Sequence, residues 1–300
     1  MTISVSVPND LFKAAVEAYD GDVAVVEWDL NSPAPQESID LVLLPLISDK
    51  PDLSNLNSVE TRLVQASSIG YEHVMPHIGD KALANAATVH ETSTSELTLA
   101  LILAQLRGMQ RIVRSQDEGV WDTFTAPGLA DKKVLLIGYG GIGKAIAQRL
   151  LPFEVELYRV ASTHREDEQG TIYGTDEVKG LLPEMDVVIL IIPGNETTNG
   201  MVDDEFLSLM KDGSLIVNMA RGTVADTDAL VKHADRLKVA LDVVDPEPLP
   251  EGHPLYSHPN VLFSAHMGGY SDALWPRLRA LIHRQIDALS EERDPENIVN

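Results

Sequence analysis

The chain has 300 residues and a formal net charge of -23, from 23 basic and 46 acidic side chains. That balance argues against nucleic acid and anionic membrane as partners, because both would repel it. Cysteine is absent, which excludes disulfides, thiolate nucleophiles and cysteine-ligated metals, and no metal is expected. The length allows one large domain or two medium ones, and the composition is that of a globular protein.

Residues 2–7 read as a first strand with no basic region before them, so no signal peptide and a cytoplasmic location are expected. Residues 10–19 are helical in pattern, with Asn9 as the cap. Strands follow at 23–28 and 39–44, separated by the loop Asn31-Ser-Pro-Ala-Pro35. Another, at 62–67, runs into Ser68-Ile69-Gly70-Tyr71. Ligands of parallel sheets sit beyond the carboxyl ends of strands, which makes this turn a candidate contact. A long helix is expected over 96–114, with an apolar run at 97–106 too short to span a bilayer. The polar stretch 115–131 carries Trp121 and Pro127.

A fresh series then begins. Val134-Leu-Leu-Ile137 reads as a buried strand, Gly138-Tyr139-Gly140-Gly141-Ile142-Gly143 has G-x-G-x-x-G spacing, and residues 144–151 are helical in pattern. Strand, glycine turn and helix in that order form a dinucleotide-binding fingerprint. Gly138 permits the tight turn, Gly140 lets backbone approach a pyrophosphate, and Gly143 lets helix and strand pack closely. Further strands are expected at 154–160, 186–192, 214–218, 238–243 and 260–264. Helices are expected at 176–182, 203–210, 226–235 and 271–290, and no internal repeat interrupts the series. The alternation predicts an α/β protein of two parallel-sheet domains, Rossmann-like or flavodoxin-like, with an active-site cleft between them. Residues 1–94 plus 270–300 would form one domain and 95–269 the other.

Three later strands end in residues that can carry chemistry. Asn218-Met-Ala220-Arg221-Gly222 puts an arginine beside a glycine, and its planar fork suits a carboxylate, although a surface ion pair would use it equally well. Leu241-Asp242-Val-Val-Asp-Pro-Glu247-Pro248 holds a glutamate between two prolines, suited to a fixed carboxylate or to an ordinary loop acid. Ala265-His266-Met-Gly268-Gly269 places one of nine histidines at a strand end. Histidine titrates near neutral pH and can act as a general acid or base. Together, Arg221, Glu247 and His266 after a dinucleotide fingerprint favour a hydride-transfer site.

These segments, with Ile192-Pro193, Thr198 and Val64-Gln-Ala-Ser-Ser68-Ile69-Gly70, resemble the D-isomer-specific 2-hydroxyacid dehydrogenases over nearly the whole chain. The resemblance implies that Arg221 binds the substrate carboxylate, His266 protonates the carbonyl oxygen, and Glu247 orients the imidazole and favours its protonated form. It implies substrate contacts from Ser68, Ile69 and Gly70. Cofactor contacts would come from residues 138–143, Ala161, Ser162, Thr163, Arg165, Ile192, Pro193, Thr198, Ala220 and Asp242. Members of the family usually form dimers through the segments corresponding to 96–114 and 115–131, so a homodimer is expected.

Two positions bear on specificity. NAD-preferring members end their second cofactor-domain strand with an acid for the ribose hydroxyls; here that position is Ala161, followed by Ser162, Thr163, His164 and Arg165. Hydroxyls and basic groups can take a 2′-phosphate, so NADP is expected ahead of NAD. Arg159 and Arg165 could also simply face solvent. The loop Pro45-Leu-Ile-Ser48-Asp49 has no cation before Lys50 and resembles that of glyoxylate or hydroxypyruvate reductases. A small 2-oxo acid substrate is therefore expected. Phosphoglycerate oxidation stays open through Lys50 or Arg62. A dinucleotide-sensing regulator of corepressor type is the rival of another class, disfavoured by the lack of disordered tails.

Overall fold

The computed structural model describes residues 1–46 and 49–300. Two of the residues in the loop weighed for substrate choice, Ile47 and Ser48, lie outside the described residues. The chain divides into two compact units, residues 1–90 with 270–300 and residues 91–269.

Among the described residues, the first unit carries a five-stranded parallel sheet. Its elements are β1 (Ile3–Val7), α1 (Asp10–Glu17), β2 (Val23–Glu27), β3 (Leu41–Leu43), β4 (Leu63–Gln65), the single-turn α2 (Met75–Ile78) and β5 (Leu83–Ala84). The last helix of the chain, α9 (Leu274–Ser290), belongs to this unit. Asn9 caps α1 as expected, its side chain accepting from the N–H groups of Leu11 and Phe12. Strand order is β2-β1-β3-β4-β5, the flavodoxin-like arrangement. Alternate residues feed two cores. Ile3, Val5, Val7, Leu41 and Leu43 pack with α1 and α9, while Val26, Val42, Leu44 and Val64 pack with Trp28 and Leu56 on the other face. Two glutamines lock α9 to the sheet: buried Gln285 Nε2 donates to Gln65 Oε1 at 2.8 Å.

The second unit opens with α3 (Glu91–Arg107) and α4 (Met109–Asp117). One helix over 96–114 was expected. It begins five residues earlier and breaks at Gly108, whose φ of +66° leaves the helical region. Glycine adopts that conformation without steric cost, and the chain changes direction there.

The second sheet is made of β6 (Lys133–Ile137), β7 (Glu156–Val160), β8 (Arg165–Asp167), β9 (Gly170–Tyr173), β10 (Val187–Leu190), β11 (Leu215–Asn218), β12 (Lys238–Leu241) and β13 (Val261–Phe263). The helices between them are α5 (Gly141–Leu150), α6 (Val178–Leu181), α7 (Asp204–Leu209) and α8 (Thr227–His233). Its order is β13-β12-β11-β10-β6-β7-β9-β8, parallel except for the β8–β9 pair. The inner strands are nearly continuous apolar runs because both faces are covered. Leu135, Ile137, Val188 and Leu190 face one core; Val134, Leu136, Val187 and Ile189 face the other, where α3 packs. Chain direction across the sheet reverses between β6 and β10, the switch point where open α/β sheets bind ligands.

The hairpin β8–β9 was not anticipated. Parallel strands usually need a crossover of about a dozen residues or more, with a helix in it. Here residues 161–169 suffice, because they form an edge strand instead. Its residues are exposed and charged, so the strand has no apolar alternation to announce it.

Candidate active site

The glycine turn has the geometry its spacing demands. Gly138 has φ +110°, and a Cβ there would lie 2.2 Å from the Ile191 carbonyl oxygen. A Cβ on Gly143 would lie 2.1 Å from the oxygen of Gly138, so any side chain would push helix from strand. Gly140 has open space around it. It is the N-cap of the ten-residue helix α5 and supplies no side-chain capping bond. The first N–H groups of α5 are backbone donors of the kind that could hold a pyrophosphate, and beside them a Cβ on Gly141 would lie 2.9 Å from Glu91 Oε1. Ile192 and Pro193 follow β10 across the switch point. Thr198 shapes that loop, its hydroxyl donating to Pro193 O at 2.7 Å and accepting from the Asn195 N–H at 2.9 Å.

Tyr139 is tied to the hairpin. The guanidinium of Arg159 stands 5.1 Å from its ring centre, and its hydroxyl is 3.3 Å from Gln169 Oε1. Arg159 is only 3% exposed and pairs with Asp167 at 2.8 Å. The alternative that it simply faces solvent does not hold for Arg159: its charge is spent inside the fold. The Arg159 guanidinium holds the Asp167 carboxyl below the usual carboxylate range. Ala161 is half-buried, and Ser162, Thr163, His164 and Arg165 are exposed at the end of β7.

The three strand-end motifs lie after β11, β12 and β13. Asn218, 1% exposed, builds the first turn: its Oδ1 accepts the Ala220 N–H at 3.0 Å and its Nδ2 donates to Arg221 O at 3.0 Å. Arg221 leaves this turn half-buried, with Nη1 donating to Ala220 O at 2.7 Å. Glu247 and His266 meet: Nδ1 of the histidine is 2.7 Å from Oε1 of the glutamate. Both side chains are about two-fifths exposed, His266 at 43% and Glu247 at 42%.

His266 has φ +52°, in the left-handed region that a non-glycine residue occupies only when its surroundings hold it. Those surroundings are Asp242. Its carbonyl accepts the His266 N–H at 2.8 Å. Its carboxylate, 5% exposed, accepts from Ser264 Oγ at 2.6 Å, Met267 N at 2.7 Å and Gly268 N at 2.9 Å. Sequence reasoning marked Asp242 as a cofactor contact and missed this clamp, as it missed Asn218 in its turn. An amide and an acid closing apolar strand runs, Asn218 after Leu215-Ile-Val and Asp242 after Val239-Ala-Leu, were the available signal.

Ser68, Ile69 and Gly70 belong to the first unit, where they form a tight turn after β4. Ser68 Oγ donates to Gly70 O at 2.6 Å, and Asn85 Nδ2 donates to Ile69 O at 2.9 Å. Arg62, one of two cations considered for a substrate phosphate, donates to Leu289 O at 2.9 Å and lies 3.7 Å from Asp40.

Comparison with known proteins fits this geometry. Residues 99–268 match the profile of the D-isomer specific 2-hydroxyacid dehydrogenase NAD binding domain. A glyoxylate reductase of Thermofilum pendens is 30% identical over 273 residues, covering 86% of this chain and 80% of that one. The Homo sapiens glyoxylate reductase/hydroxypyruvate reductase is 28% identical over 268 residues, covering 82% of each. The crystal structure of the TT0316 protein from Thermus thermophilus superposes with a TM-score of 0.81 at 28% identity, over the full length of both chains. The chain belongs to the D-isomer-specific 2-hydroxyacid dehydrogenase family. It is an oxidoreductase that uses a nicotinamide dinucleotide. No helix among the described residues is long and apolar enough to cross a membrane.

Proposed function

We propose that this enzyme reduces a small, unphosphorylated 2-oxo acid of the glyoxylate or hydroxypyruvate kind to its D-2-hydroxy acid, with NADPH preferred over NADH. The observation that carries the reading is the 2.7 Å contact of His266 Nδ1 with Glu247. With Nδ1–H engaged by the carboxylate, the proton to be given away sits on Nε2. The bound dihydronicotinamide supplies the hydride. His266 delivers its proton to the carbonyl oxygen. Arg221 offers a two-pronged donor to the substrate carboxylate and steadies charge on the carbonyl oxygen. Asp242 keeps the His266 turn in place, and Ser68, Ile69 and Gly70 are assigned to the substrate carboxylate.

The commitment of Arg62 to Leu289 and Asp40 within the first unit favours a substrate without phosphate. Ala161 favours NADPH, since the residue that ends β7 is not an acid that would bind the ribose hydroxyls. A homodimer is assigned to α4 and the segment after it, where Met109, Ile112, Val113, Val120 and Trp121 are exposed.

The test is a panel of 2-oxo acids with each reduced cofactor, run on the wild type and three variants. His266→Ala is expected to lower kcat by about 10²–10⁴, the usual worth of a general acid. Arg221→Ala should raise KM and lower kcat together, since its contact serves ground and transition states. Glu247→Gln should lower kcat with little change in KM. Near wild-type turnover by His266→Ala would sink the mechanism.

A further inference from the structure

The cofactor preference rests on residues at the end of β7, and one of them has an environment of its own. Because β8 lies outside β9 in the sheet, the chain leaving β7 must cross the carboxyl end of β9. Ala161 N–H donates to Tyr173 O at 3.0 Å during that crossing. At Gly174 the crossing segment comes so near that a Cβ would lie 3.4 Å from His164 N. His164 is thus placed over the end of a parallel strand, next to the position where a ribose is read in such sheets.

Its ring is fixed on two sides. Nδ1 is 2.8 Å from Glu177 Oε2, and the same oxygen accepts the Gly174 N–H at 2.6 Å. Tyr173 meets the ring edge-on, with centres 6.2 Å apart at 89°. Nε2 has no hydrogen-bond partner among the described residues, and the side chain is 53% exposed. The charged groups facing it are Glu177 and Asp176 from the turn after β9 and Glu166 from β8, with Arg165 adjacent in the chain. Without a positive imidazole this corner carries three acids and would repel a phosphate.

We propose that His164, as an imidazolium held by Glu177, recognises the 2′-phosphate of NADP, so that the preference for the phosphorylated cofactor weakens as that charge is lost. The inference rests on the NADP reading above. Nε2–H is a charge-assisted donor to a phosphate oxygen, and the ring's charge offsets the three acids. The hydrogen bond to Glu177 first, and then the charges of Glu177, Glu166 and Asp176, hold the His164 pKa above its ordinary value against the pull of burial. The imidazolium therefore persists to higher pH than an ordinary histidine's and is lost as pH rises through the raised pKa. Any part of the preference that does not vary with pH belongs to Arg165 and the hydroxyls of Ser162 and Thr163.

Calorimetric titration of the full chain with NADP+ and with NAD+ tests this. The range is about pH 7 to 9, above the second ionisation of the phosphate near 6. The ratio of the two dissociation constants, NADP+ over NAD+, is expected to rise with pH on the order of tenfold, the worth of one charge-assisted hydrogen bond. His164→Gln should show the high ratio already at pH 7 and no further rise. Glu177→Gln should move the rise to lower pH. A pH-independent ratio in the wild type, or a wild-type ratio in His164→Gln at pH 7, overturns the role of His164. The sign of the preference is a separate readout: tighter binding of NAD+ at pH 7 overturns the NADP reading, whatever the slope.

Discussion

Arg159 and Arg165 stand six positions apart at the same corner of the sheet, yet their uses differ. Arg165 is exposed. Arg159 is buried, and Asp167, the Tyr139 hydroxyl and Gln169 surround its guanidinium. This asymmetry carries a prediction. Removing Asp167 leaves a buried charge short of its counter-ion, whereas removing Arg159 leaves an acid that water can reach. Asp167→Ala should therefore lower Tm by more than Arg159→Met, and thermal unfolding of the two variants decides it. The reverse order would mean that stacking on Tyr139, and not the ion pair, holds the hairpin. The same reasoning separates legible from hidden residues in the candidate site. His266, Glu247 and Arg221 stand in motifs that their own chemistry marks out. Asn218 and Asp242 act through backbone groups of those motifs, and such partners are set by chain path, which residue type does not encode.

At the scale of elements, the strands other than β5, β8 and β9 were legible, because most are buried apolar runs bounded by glycine or polar residues. Boundaries of the expected strands moved by at most two residues, and those of the helices α5 and α9 by as many as three. The failures have specific causes. Periodicity ran on past Gly108, since α4 continues a helical pattern after the left-handed break. The exposed β8 offered no pattern at all. α4 itself buries none of its residues. Arg111 grips Asp122 with Nε and Nη2, at 2.5 and 2.9 Å, and lies 4.1 Å from the Phe124 ring centre. The segment after α4 is thereby held in place with Trp121 96% exposed. A fixed apolar surface costs little entropy to bury. Light scattering should accordingly find a dimer, and Val113→Asp with Trp121→Ser should shift it to monomer at equal concentration. A monomeric wild type would refute the assignment.

For the whole molecule, the charge of -23 is the dominant long-range term. Self-repulsion on this scale destabilises a compact state and is relieved by salt. The screening length falls from about 10 Å at 0.1 M to about 3 Å at 1 M. Tm should therefore rise between those concentrations. By the same argument, kcat/KM for an anionic substrate should hold or improve with moderate salt. A steep loss of kcat/KM would instead show strong local positive focusing around Arg221. A falling Tm would mean that the surface ion pairs outweigh the net repulsion.

The amino-acid sequence by itself determined the alternation of strands and helices, the glycine turn and the three chemical side chains at successive strand ends. Each is a local property: apolar periodicity, a backbone conformation only glycine takes easily, a titratable group beside a turn. Tertiary structure alone decided which side chains meet. Glu247 reaches His266 because β12 and β13 are neighbours in the sheet, although nineteen positions separate the two residues. Asp242 holds the His266 turn for the same reason. His164 acquires Glu177, and Arg159 its burial, because an edge hairpin folds the chain back over β9. Contacts of this kind depend on strand order and register, which arise from packing the whole sheet and are not carried by any one segment.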